Sequence, residues 1–79
     1  MTIQAAMEWI ALANGAIYAE NGNHWYRVYA TEPNGSTFRF EAGRPTMPGD
    51  YREEHTSIAD ALKALNDNVP IESWIQAVI

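Results

Sequence analysis

From residue 25 to residue 42 the chain reads WYRVYATEPNGSTFRFEA, and apolar and polar positions alternate on either side of Glu32-Pro33-Asn34-Gly35. Alternation with a period of two marks a strand with one buried face. A Pro-Asn-Gly cluster between two such runs predicts a β-hairpin. Two registers compete. A two-residue Asn34-Gly35 turn sets Pro33 in the first ladder pair, where it has no N–H to donate. A three-residue loop puts Pro33 and Asn34 at the centre of a type I turn and Gly35 at the left-handed bulge position. This second register pairs Thr31 with Thr37, Ala30 with Phe38, Tyr29 with Arg39, Val28 with Phe40 and Arg27 with Glu41. Tyr26, Val28, Ala30, Phe38, Phe40 and Ala42 then share one face. Trp25, Arg27, Tyr29, Thr31, Thr37, Arg39 and Glu41 share the other. The two-residue register mixes these sets, so the segregation selects the three-residue loop.

Upstream, Ile3, Ala6, Met7, Ile10 and Ala13 recur at helical spacing and predict a helix over residues 2–14. Thr2 is its candidate cap and Gly15 its stop signal. Trp9 and Leu12 lie off the stripe, either on the sheet with the rest of the helix or toward a partner. Residues 16–20 predict a short strand. An Asn21-Gly22 turn of type I′ then pairs Ile17 with Tyr26 and Tyr18 with Trp25. The result is a three-stranded antiparallel meander with residues 25–31 in the middle. Residues 43–56 read as a long connection containing Pro45, Pro48 and Gly49, in which 50–55 is a candidate fourth edge strand. Ser57 opens a second helix through a Ser57-Ile58-Ala59-Asp60 cap. Ile58, Ala61, Leu62 and Leu65 form its buried stripe, and Asn66-Asp67-Asn68 ends it. Pro70 suits the first position of a third helix, residues 70–78, with Ile71, Trp74, Ile75 and Val78 on its apolar face. The fold class predicted is α+β, one domain over residues 1–79.

The outer face of this meander holds Tyr18, Trp25, Arg27, Tyr29, Arg39 and Glu41. Aromatic and Arg side chains are enriched where proteins bind one another. Either the face is open for a partner or a C-terminal helix covers it.

Composition narrows the function. The 79 residues contain no cysteine, which excludes disulfides and thiolate zinc sites. Hydrophobic residues make up 47%, enough for a core. Ten acidic residues stand against five basic ones, a net charge of −5. That balance argues against direct binding to a nucleic-acid backbone. It argues for a basic protein partner or for simple solubility. The first residues lack the basic segment of a signal peptide, Glu8 interrupts their apolar run, and no stretch is long enough to span a membrane. The expected location is the cytoplasm.

Catalytic chemistry finds little support. His24 and His55 are the only imidazoles, too thin a ligand set for a metal. Ser36, Ser57 and Ser73 lack a base and an orienting group. Glu53 and Glu54 are adjacent, so in an extended chain they point apart. There is no glycine-rich phosphate loop. The expectation is a protein that is not an enzyme and uses no cofactor.

A helix, a meander turning at Asn21-Gly22 and Pro33-Asn34-Gly35, and helices from Ser57 and Pro70 in one acidic domain resemble, in overall plan, the small phage-encoded anti-CRISPR proteins. No motif is shared, so no functional residue carries over. The resemblance implies an inhibitor of phage or mobile-element origin, acting in a bacterial host. Its partner would be a CRISPR effector complex or similar nucleic-acid-binding machinery, whose basic channel it occupies with carboxylates as phosphate surrogates. Candidate carboxylates are Glu20, Glu32, Glu41, Asp50, Glu53 and Glu54. The partner-binding set is Tyr18, Trp25, Arg27, Tyr29, Arg39, Glu41, Asp50, Glu53 and Glu54, on a monomer or homodimer. The alternative is an assembly module that self-associates through its first helix or an open sheet edge. A binder that stacks bases on Tyr18, Trp25 and Tyr29 is a third class, disfavoured by charge.

Overall fold

Two polar caps start the helices. The Thr2 hydroxyl accepts from the Ala5 N–H at 3.0 Å and opens α1, Ile3–Ala11; the Ser57 hydroxyl accepts from the Asp60 N–H at 3.1 Å and opens α2, Ile58–Asn68. Each side chain satisfies an N–H that the first helical turn leaves unpaired. The computed structural model describes residues 1–12, 14–32, 35–44 and 47–79, the last stretch with side chains from residue 51 on. Among these residues the chain is α+β: α1, strands β1 (Gly15–Asn21), β2 (His24–Ala30), β3 (Phe38–Arg44) and β4 (Met47–His55), α2, a 3-10 turn (Ile71–Ser73) and β5 (Ile75–Val78). The strands form one antiparallel sheet in the order β4-β3-β2-β1-β5.

The β2–β3 register is the one the alternation selects, with Val28 opposite Phe40 and Arg27 opposite Glu41. The Thr31 N–H bonds the Thr37 carbonyl at 3.1 Å. Pro33 and Asn34 lie outside the described residues. At Gly35 a Cβ would stand 3.0 Å from the Ala30 Cβ and from the Glu32 carbonyl oxygen.

The inner face carries the core. Ile17, Ala19, Tyr26, Val28, Phe38, Phe40 and Ala42 pack against Ala6 and Ile10 of α1 and Ala61, Leu62 and Leu65 of α2. Small residues at the helix contact points let both helices lie close to the sheet. Ile3, expected on the buried stripe of α1, is exposed, and Ala13 lies outside the described residues.

Several expectations are corrected. The first helix ends at Ala11, before Asn14, and it is Asn14 (φ 70°) that takes the left-handed position assigned to Gly15. Gly15 starts β1 instead, so tight against α1 that a Cβ would fall 1.9 Å from the Trp9 carbonyl oxygen. The β1–β2 turn is Gly22-Asn23, with Asn21 opposite His24, so Tyr18 faces Arg27 and not Trp25. Gly22 has φ 62° while Asn23 stays out of the positive region, the requirement of a II′ turn. This shift is of two residues, so every side chain keeps its face. The long connection over 43–56 is mostly strand: β3 runs on to Arg44, and β4 extends the candidate fourth strand back to Met47, with a register shift between Ala42 and Arg44. Pro48 is tolerated there because β4 is an edge strand.

The third helix does not form. Pro70 precedes a single 3-10 turn, and the chain then extends as β5 along β1. A nine-residue helix rich in β-branched Ile and Val is a poor helix. The open edge of β1 offers backbone partners that a helix would leave unsatisfied. Trp74 remains buried, its indole N–H donating to the Val69 carbonyl at 3.0 Å. Trp9 also serves the fold, donating to the Ala77 carbonyl at 2.9 Å and tying α1 to β5. Leu12 is exposed.

Gly15→Ala is expected to cost about 1–3 kcal/mol in urea unfolding, because the added methyl meets rigid backbone. Gly22→Ala meets open space and costs only the left-handed strain, about 1 kcal/mol. Equal costs at the two sites would show that the helix–strand approach at Gly15 is not tight.

Candidate protein-binding face

Directly opposite residues of an antiparallel sheet share a face, so the register stacks the outer side chains in rows. One row is Ile75, Tyr18, Arg27, Glu41, Arg52; the next is Ala77, Ala16, Tyr29, Arg39, Glu54. Glu20 and Trp25 stand together in a third. Both helices belong to the inner core, and among the described residues none packs over this side.

In the first row Glu41 lies between two guanidinium groups. Arg27 Nε donates to its Oε1 at 2.5 Å and Arg52 Nε approaches its Oε2 at 3.3 Å. Glu41 is only 2% exposed. A carboxylate with so little water is tolerated because both guanidinium groups pair with it. In the second row Arg39 Nε donates to Glu54 at 2.7 Å, and an Nη donates to the Tyr29 hydroxyl at 3.2 Å. The Glu54 bond, and after it the Tyr29 bond, raise the Arg39 pKa above its ordinary value.

Aromatic rings link the rows. The Arg27 guanidinium lies 4.7 Å from the Tyr29 ring centre and 5.8 Å from that of Trp25; Arg39 lies 5.9 Å from Tyr29. Each such contact contributes about 0.5–1 kcal/mol at an exposed site. Tyr18 and Trp25 stack diagonally, centroids 6.5 Å apart and planes 22° from parallel. The Trp25 indole N–H donates to the Arg44 carbonyl at 3.1 Å, which fixes the ring. Burial, with Glu20 adding, pushes the Tyr18 hydroxyl pKa up, so this ring stays neutral. Ala16 and Ala77 leave a shallow cleft of about 280 Å³ beside the stack, lined also by Arg27 and Val78.

Of the nine residues expected to bind a partner, the outer face unites Tyr18, Trp25, Arg27, Tyr29, Arg39, Glu41 and Glu54. Glu41 and Tyr29 (9% exposed) are its foundation and are too buried to be contacts. Glu53 is on the opposite face. The alternation that turns Glu54 outward turns Glu53 inward, where it accepts from the Tyr51 hydroxyl and lies 3.0 Å from His55 Nε2. The Asp50 side chain is outside the described set. Of the carboxylates named as phosphate surrogates, Glu41 and Glu54 pair with arginines and Glu53 faces the other way. Sequence reasoning missed Arg52 and the alanine cleft. Arg52 follows only from the β3–β4 register, and the cleft only from β5.

On the described outer face three arginines (27, 39, 52) accompany three carboxylates (20, 41, 54). The negative surplus lies elsewhere, including Glu8 on α1, Asp60 and Asp67 on α2, and Glu72 in the 3-10 turn. Among the described residues no group of His, Asp and Glu is placed to hold a metal ion, and no helix is long and apolar enough to cross a membrane. Comparison with known proteins returns no matching family model, no matching curated protein and no matching solved structure.

Glu41→Gln keeps the shape but removes the charge between Arg27 and Arg52. It is expected to lower stability by about 1–2 kcal/mol, read from the urea midpoint at an unchanged slope. An unchanged midpoint would show that the ion pairs only break even. The Tyr51 hydroxyl first, and His55 second, hold the Glu53 carboxyl below the ordinary glutamate range. A folded pKa below the unfolded one contributes stability that is present above the unfolded value and lost as pH falls through the folded one. Side-chain carboxyl NMR should therefore show Glu53 titrating low, and Tyr51→Phe should move that titration upward. An identical titration in the variant would remove Tyr51 as the cause.

Proposed function

We propose that the protein is a small protein-binding inhibitor, not an enzyme, that docks through the outer face of its sheet. The observation that carries this reading is the Tyr18–Trp25 stack. Two half-buried rings stand beside a cleft on a sheet side that no helix covers among the described residues, braced by the Arg27–Glu41–Arg52 row. Trp and Tyr are the side chains whose burial dominates binding energy. Rings already held by hydrogen bonds and ion pairs lose little freedom on docking.

The net charge of −5 supports a basic partner. Nucleic-acid-binding machinery, the class of partner that the anti-CRISPR resemblance implies, presents a basic surface of this kind. On this reading the work is divided. Carboxylates around the molecule steer the approach over long range, and the charge-balanced sheet face makes the close contact. Mimicry of a phosphate row by carboxylates is not required.

Trp25→Ala and Tyr18→Ala are expected to leave the fold intact and to weaken partner binding at least about tenfold each. The measurement is capture from a bacterial lysate on the immobilised wild type, with mass spectrometry, followed by binding kinetics of the captured complex with each variant. Raised salt should slow association more than it speeds dissociation. Retention of the same complex with equal affinity by both variants would remove the outer face as the docking site. Capture of nothing but the chain itself would remove the inhibitor reading.

A further inference from the structure

The two edges of the sheet are built differently. β4 carries Pro48, a register shift, and the charged run Arg52-Glu53-Glu54. These are the devices that keep an edge strand from pairing with another chain. β5 has none of them. Residues 75–79 read IQAVI, without charge or proline. Ile75 is 55% exposed, Val78 72% and Ile79 53%.

The phase of the ladder identifies which backbone groups of β5 are free. The Ile79 N–H bonds the Asn14 carbonyl at 2.9 Å. Opposite residues in an antiparallel ladder alternate between bonded and non-bonded pairs. Ala77, opposite Ala16, and Ile75, opposite Tyr18, therefore also turn their N–H and C=O toward β1. Gln76 and Val78 turn theirs to the open edge. Two residues with outward groups, flanking one without, are self-complementary. A two-fold axis at Ala77 sets Gln76 against the partner's Val78, and Val78 against the partner's Gln76. Both are bonded pairs, so every outward N–H and C=O of Gln76 and Val78 is satisfied. The same axis sets Ile75 against the partner's Ile79 on the outer face, an apolar pair at each end of the contact.

We propose that a second copy of this chain occupies the β5 edge, the two β5 strands pairing antiparallel about Ala77 to join two five-stranded sheets into one. The absence of charge favours a copy, since any charged residue on this strand would be repeated across the axis. The axis runs normal to the sheet, so the two Tyr18–Trp25 stacks face the same way. The contact is one strand wide and smaller than the interfaces of obligate dimers, so association is weak and concentration-dependent.

Sedimentation equilibrium of the full chain, from about 10 μM to about 1 mM, is expected to show the mass rising from 8.9 kDa toward twice that value. Gln76→Pro removes an N–H that the protomer does not use, as edge strands permit. Val78→Lys adds a charge at an exposed position. Each variant should keep the wild-type near-UV circular dichroism and remain at monomer mass over the whole range. In the wild type, hydrogen exchange at the Gln76 and Val78 amides should slow as concentration rises. A wild type that stays monomeric at about 1 mM overturns the proposal. So does a dimer that persists in Val78→Lys, which also decides the matter if Gln76→Pro fails to fold.

Discussion

Ile17, Val28 and Phe40 lie side by side across β1, β2 and β3, each at most 2% exposed, with Leu62 and Leu65 of α2 in the same cluster. Fully burying one such side chain contributes roughly 1.5–3 kcal/mol. A slip of one residue in any of these strands would turn the row into water. That constraint sets the register, and the register sets everything on the opposite side. Arg27 meets Glu41 because Val28 must meet Phe40. The polar lattice is the other surface of the apolar one.

Two short helices can cover only one side of a five-stranded sheet. The uncovered side must then be stable against water without being inert. It is built from aromatic rings, guanidinium groups and carboxylates that satisfy one another, and among the described residues no buried side-chain nitrogen or oxygen lacks a hydrogen-bond partner. Its arginines pair with Glu41 and Glu54, and the Tyr18 and Trp25 rings stand half-exposed beside them. The acidic character of the chain belongs mainly to other parts of the surface.

The β2–β3 hairpin and both helix caps were legible because each rests on local chemistry: strict alternation, and Thr2 or Ser57 one position ahead of a helical stripe. Most of the outer face followed from that alternation. Where two local readings competed, tertiary packing decided. Asn21-Gly22 and Gly22-Asn23 are both good two-residue turns, and the chain uses the second, with Asn21 opposite His24. Asn14-Gly15 offered two candidates for the left-handed position, and the close approach of Trp9 reserved Gly15 for β1. Ile71, Trp74, Ile75 and Val78 fit a helix stripe by spacing, but β1 needed a second neighbour, a demand that no local pattern encodes. β4 was legible only in its last six residues. Tyr51, Glu53 and His55 on its inner side do not read as a buried face, since they line the margin of the core.

The placement of β5 also orders events in time. Ile17 pairs with Gln76, so the last strand in the sheet closes against the first across most of the chain. The β1–β2 and β2–β3 hairpins close over only a few residues, and loop-closure entropy favours them. On a ribosome adding about 5–20 residues per second, the backbone groups of Ala16 and Tyr18 wait several seconds for their partners. Until then the nascent sheet has an unguarded margin at β1, and the Trp9 indole lacks its acceptor on Ala77. Pairing of β5 with β1 is thus a late event in the assembly of this sheet.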